Sequence, residues 1–263
     1  MSGDILLEHD GAVARVTVAH AGKLNAMSRA MWRRLRAVFV AIQADEGVRC
    51  VVVQGQGGTF CAGGDIAEYP AFRFDVASLR AFHEQDVWGG LQAMLDCDVP
   101  VIAAIEGPCM GAGVEIASCC DIRVAAADAR FGAPIAKLGF PMAPREAALV
   151  ARVVGEATAR EMLLEAAVLD AAELKVRGFL HRVLPAAELL DHARERARRI
   201  STLAPCAARL NKQTLRALNQ PPAPVGYAPP AIENIVIDAY DYADSAEHRE
   251  GIAAFLAKRP PRF

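Results

Sequence analysis

No stretch of this 263-residue chain approaches the run of about 20 apolar residues that a membrane-spanning helix needs, so no bilayer crossing is expected. Charge of one sign is also lacking. Lys and Arg number 29 against 31 Asp and Glu, a formal net charge of -2, which gives no global attraction to nucleic acid or anionic membrane. Arg194, Arg196, Arg198 and Arg199 accordingly read as a solvated helix face. Seven cysteines, an odd number that includes adjacent Cys119 and Cys120, do not make a disulfide framework and suit a reducing compartment. The first residues lack both a basic apolar leader and an Arg-rich amphipathic one, so a cytoplasmic location is expected. Several site motifs are missing too. There is no G-x-x-x-x-G-K-[ST] phosphate loop and no G-x-S-x-G nucleophile elbow. The run from Gly55 ends in Phe60 where a dinucleotide fingerprint needs glycine, and the six histidines lack metal-ligand spacing, so no metal is expected.

What is present is an alternation of apolar strands and amphipathic helices, the sign of crossover units on a largely parallel sheet. Ile5–His9 and Ala12–Ala19 flank the turn dipeptide Asp10-Gly11. Ser28 predicts a helix cap before the stripe Met31, Leu35, Val38, Phe39 and Ile42. Strands are expected at Val51–Gln54, Val101–Glu106 and Ile122–Ala125, and helices at Ser78–Asp96 and Gly113–Ser118. The second half turns helical. A capping box is read at Thr158–Glu161, a helix stop at Gly178, a lone strand at Leu180–Leu184, and helices at Ala186–Ile200 and Ala204–Leu218. The proline-rich segment Asn219–Pro230 is expected to be a loop. The chain thus divides into an α/β core over 1–200 and a C-terminal helical region over 201–263.

Two glycine-rich turns follow buried strands, and each opens a helix, so each can present free backbone N–H groups to an anion. The first is Gly55–Ile66, with Gly63 and Gly64 before a capping Asp65; the second is Gly107–Glu115. Glu115 stands three residues after Ala112, which places its carboxylate on the same helix face as those donors. Its neighbours Val114, Ile116 and Ala117 argue for a buried acid/base group rather than a solvated one. Cys61 and Cys109 sit inside the turns with no base at nucleophile spacing and read as packing residues.

The segments Phe60–Ile66 and Pro100–Arg123 resemble the crotonase (enoyl-CoA hydratase/isomerase) superfamily, and the resemblance extends over Lys23–Met27, Ala129–Pro134, Lys137–Gly139, Ala171–Gly178 and Glu250–Pro260. It implies an α/β spiral of ββα units with a helical C-terminal region used for trimerisation and CoA contact, and assembly as a homotrimer or dimer of trimers. It implies an acyl-CoA substrate with no other cofactor. The N–H groups of Gly64 and Ala112 fall where the family holds the thioester oxygen, and Glu115 matches its first catalytic glutamate, which deprotonates the attacking water. Matching residue to residue, the substrate is expected to touch Lys23, Leu24, Ala26, Ala62, Gly63, Asp65, Ile66, Gly111, Pro134, Ile135, Ala143, Phe255 and Lys258, with Arg259 joining Lys258 on the CoA phosphates.

The chain departs from the pattern at one telling place. The second hydratase glutamate is replaced by Ile135, and the usual glycine-rich stretch by Met142–Glu146. Arg145-Glu146 at a helix start reads first as a cap or ion pair, with Glu146 the candidate substitute acid; His83, beside Phe82 and Val87, reads as structural, and Glu84 accompanies it in the helix that borders the acyl pocket of the family. The expected reaction is 2-enoyl-CoA hydration or dehydration, slow for want of a second carboxylate. Double-bond isomerisation, other enolate chemistry, or acyl-CoA binding with little turnover are the alternatives.

Overall fold

A computed structural model describes residues 3–218, 236 and 238–263. The proline-rich segment Asn219–Pro230, read from the sequence as a loop, lies outside the described residues. The chain opens with a hairpin, β1 (Asp4–Asp10) and β2 (Val13–Ala19), paired so that Asp10 faces Val13. The turn residues are therefore Gly11 and Ala12, one step later than the Asp10-Gly11 dipeptide suggested, with Gly11 at φ +58°. Ser28 caps α1 (Arg29–Ala44) by accepting from the Met31 amide, and the expected stripe is buried together with Trp32.

β2 then pairs in parallel with β3 (Cys50–Gly55), and the sheet continues through β4 (Val101–Ile105), β6 (Ile122–Ala126) and β9 (Arg182–Leu184), all parallel. Every residue of β4 is buried, as befits a strand covered on both faces. One face carries the main core with α1, α3 (Trp88–Asp96) and α4 (Ala112–Cys119); the other is closed by α8 (Ala186–Ser201) through Leu189, Ala193 and Ala197. The two alanines let the helix backbone come close to Val52, Ile102 and Val124.

A smaller sheet joins β5 (Pro108–Met110), β7 (Arg130–Gly132) and β8 (Val168–Asp170). β4 runs into β5 and α4, while β6 runs into β7 and, after a 3-10 turn at Pro134–Leu138, into α5 (Pro144–Val154). These are ββα units, as the resemblance implied. β3 is followed in the same way by Cys61, which forms a parallel bridge to Cys109.

The expected Ser78–Asp96 helix is three pieces: α2 (Val76–Ala81), a π turn at Phe82–Val87, and α3. The capping box at Thr158 is not a start, because α6 (Glu156–Leu164) begins after Gly155 at φ +88° and Thr158 is buried inside it. β8, which had no clear signal, is followed by α7 (Ala171–Val176). α9 (Pro205–Leu218) is tied to the core by polar contacts, Lys212 to Asp121 and Arg216 to Asp98, and α10 (Ala246–Leu256) closes the chain. Among the described residues no helix is long and apolar enough to cross a membrane.

Candidate active site

The two glycine turns are stitched to each other. Met110 donates to the Cys61 carbonyl at 2.9 Å and Cys61 to the Pro108 carbonyl at 3.0 Å. The approach is close enough to require glycine: a Cβ on Gly113 would meet the Cys61 carbonyl at 2.6 Å, and Gly111 at φ +46° lies over Gly63 at φ +115°. The neighbouring amides are occupied, since Ala62 donates to Leu24, Asp65 to Met27 and Gly111 to Gly132. The amides of Gly64 and Ala112 have no such acceptor. Ala112 is the first residue of α4, where an N–H has no intrahelical partner.

Both open amides border a cavity of about 230 Å³ that also contains Glu115, Glu146 and His83. Glu115 belongs to the first turn of α4 and is buried. Burial first, and then the charge of Glu146, push its pKa well above the usual carboxylate range. Glu146, in the first turn of α5 behind Pro144, is equally buried. Its Oε1 lies 2.8 Å from His83 Nδ1. Arg73 Nη1, which can only donate, lies 3.4 Å from His83 Nε2, so Nε2 accepts and Nδ1 carries the hydrogen given to Glu146. Arg145 turns away to Glu84, 3.0 Å distant. The Arg145-Glu146 pair expected as one ion pair or cap is therefore split, and the second carboxylate of the cavity comes from α5.

Ile135 lines the same cavity from the 3-10 turn, a side chain with no proton to give. Tyr69 stands on the other side, its hydroxyl where a Cβ on Gly64 would collide with it. Burial raises the Tyr69 pKa to about 12, so the phenol keeps its proton. The Cys61 and Cys109 thiols are buried with raised pKa values, Cys61 at about 12, which leaves them unreactive.

A family model described as "Enoyl-CoA hydratase/isomerase" matches residues 8–263. The chain belongs to this family. A Mycobacterium tuberculosis relative named "Probable enoyl-CoA hydratase" is 31% identical, covering 98% of this chain and 97% of its own. A Clostridium acetobutylicum short-chain-enoyl-CoA hydratase is 32% identical over 81% of this chain and 80% of its own. Among solved structures, an enoyl-CoA hydratase/carnithine racemase from Magnetospirillum magneticum superposes with a TM-score of 0.91 at 37% identity, covering 98% of this chain and 94% of that one. The crotonase fold is thus the fold of this chain.

Within this enoyl-CoA hydratase/isomerase family member, Ala62, Gly63, Gly64, Ile66, Gly111, Ala112, Glu115, Pro134 and Ile135 meet at one cavity. Lys23, Leu24, Ala26, Asp65 and Ala143 do not line it but adjoin it. Lys23 pairs with buried Asp65 at 2.6 Å, Leu24 accepts from Ala62, Ala26 neighbours Met27, whose amide donates to Gly63, and Ala143 precedes α5. Phe255 and Lys258 are exposed at the end of α10 and are not among the lining residues of the cavity. Arg259 is not free beside Lys258, because it makes two hydrogen bonds to Glu250 at 2.7 and 2.8 Å.

On the sequence alone His83 reads first as structural and Glu146 first as a cap or ion pair, and nothing there marks Tyr69 or Arg73. A titratable pair 63 residues apart becomes visible only in the folded chain. Replacing Ala112 by proline removes one open N–H; a folded variant, checked by circular dichroism, should turn over acyl-CoA substrate about two to three orders of magnitude more slowly. Normal turnover would place the donor elsewhere.

Proposed function

We propose that this protein hydrates 2-enoyl-CoA esters, and dehydrates the 3-hydroxyacyl products in reverse. The observation that carries the proposal is the coincidence, in one cavity, of two buried carboxylates with two unoccupied backbone N–H groups. The thioester oxygen accepts from Gly64 and Ala112, and the dipole of α4 adds to the field that stabilises it as it becomes an enolate oxygen. Water adds to the β-carbon as one carboxylate takes its proton, and the other carboxylate delivers a proton to the α-carbon. The pair starts and ends with one proton between them, and burial together with the charge of Glu146 raises the Glu115 pKa. Only protons and one C–O bond move, so the cycle calls for no cofactor besides the CoA ester itself.

Glu146 takes the part that the sequence left vacant at Ile135. Hydration is then not crippled by that isoleucine, and the reading as a binding protein without turnover loses its main support. Lys23 and Leu24, on the turn held to the first glycine loop, are suited to the CoA moiety. Lys258 reaches CoA only from the end of α10, an arrangement that fits contact across subunits of a trimer or a dimer of trimers. A cytoplasmic protein suits such a substrate.

The test is turnover of crotonyl-CoA in heavy-oxygen water, read by mass spectrometry. Heavy oxygen in a 3-hydroxyacyl product supports hydration; a shifted double bond without it makes the protein an isomerase. Lys258→Ala is expected to raise KM for CoA esters severalfold at low salt with little change in kcat, while Arg259→Ala acts mainly through the lost Glu250 contact and lowers Tm. Equal KM for Lys258→Ala and wild type would remove Lys258 from the CoA contact.

A further inference from the structure

Arg73 is the only cationic side chain among the described residues lining the cavity, and it has no carboxylate within ion-pair distance. The acids around it are taken: Asp86 by Arg29 and Arg33, Glu84 by Arg145, and Glu146 by His83. Yet Arg73 is held firmly. Its guanidinium carbon sits 3.5 Å from the Phe140 ring centre and 4.6 Å from that of Tyr69, and one nitrogen touches His83 Nε2 at 3.4 Å. A guanidinium has five N–H donors in a planar fork. His83 accepts one, and a long one, so most of the fork remains open.

Position gives that fork a meaning. The Tyr69 hydroxyl abuts Gly64, where the thioester oxygen is to be held, and Arg73 stacks on the same Tyr69 ring. Arg73 therefore stands one aromatic ring away from the carbonyl end of the acyl group, within reach of the far end of a short chain. Holding His83 in its tautomer would need a single donor. A stacked, half-buried guanidinium with free edges is instead the geometry that receives a carboxylate through two parallel hydrogen bonds.

We infer that the acyl pocket prefers CoA esters of short dicarboxylic acids, with Arg73 receiving the distal carboxylate; this rests on the acyl-CoA reading above. Burial disfavours the charged form of Arg73, a cost that an incoming carboxylate offsets.

Calorimetric titration with glutaryl-CoA, its neutral methyl ester and butyryl-CoA tests this without requiring turnover. Wild type should bind glutaryl-CoA about tenfold or more tighter than the methyl ester, the effect of a charge-assisted pair. In Arg73→Met that ratio should fall to about one, and in Arg73→Lys it should survive in part. Equal affinity of wild type for glutaryl-CoA and its methyl ester overturns the inference, as does a preference that persists unchanged in Arg73→Met. Butyryl-CoA reports separately on the acyl-CoA site: if it binds while the glutaryl ratio is one, only the distal-carboxylate inference fails. If none of the three esters binds, the acyl-CoA reading fails and the inference with it.

Discussion

Glu115→Gln should lower kcat for crotonyl-CoA by about two to four orders of magnitude, the usual contribution of a positioned acid/base group, while butyryl-CoA affinity stays within a factor of a few. The amide keeps the shape of the side chain but cannot carry the proton. The same variant should be more stable, not less. Glu115 has a folded-state pKa raised well above its unfolded value, so the folded protein binds the extra proton between those two values and loses stability as pH rises through that window. Glutamine removes this loss. Melting temperatures of wild type and Glu115→Gln should therefore diverge with rising pH above about 4.5, the ordinary glutamate value, the variant melting higher. A parent-like kcat would remove Glu115 from the chemistry, and parallel melting curves would show that it does not titrate as described.

Glu146→Gln should have a comparable effect on kcat, and it should also move the pH profile. The charge of Glu146 is one of the two causes that raise the Glu115 pKa, so its removal lowers that pKa, and the alkaline limb of residual activity shifts to lower pH. His83→Gln, which can still donate to Glu146 but not through a ring held by Arg73, should fall between wild type and Glu146→Gln in kcat. KM should change less than kcat. A Glu146→Gln enzyme as fast as the parent would return the role of second carboxylate to a group not yet identified.

Much of this site is legible in the sequence because backbone donors leave a backbone signature. Gly63, Gly64 and Gly111 to Gly113 mark close approach and unusual φ, and a helix starting at Ala112 fixes the phase of Glu115. Ser28 and the α1 stripe are legible for the same local reason. What the sequence hides is set by tertiary contact. Ile135 draws attention because it interrupts a pattern, whereas Glu146 follows an arginine that looks like its partner and is not. His83 lies in a π turn whose wider winding, with the Trp88 amide returning to the His83 carbonyl, cannot be told from ordinary helix by apolar spacing. Thr158 misleads in the opposite sense: the local capping pattern is present, but Gly155 has already started the helix.

The main-chain β-bridge between Cys61 and Cys109 locks the two glycine loops together. The two halves of the oxygen-binding site proposed here come from segments about half a hundred residues apart, yet the spacing between their open amides is set by main-chain bonds that no ordinary substitution alters. Exchanging alanine for glycine at 112 leaves the amide in place. The site therefore behaves as a fixed socket surrounded by exchangeable fittings. Proton carriers on α5 or the π turn can be exchanged without rebuilding the pair of amides proposed to polarise the carbonyl. Redesign of the chemistry should begin at those helices and leave the bridged loops alone, since an inserted or deleted residue there would shift one donor against the other.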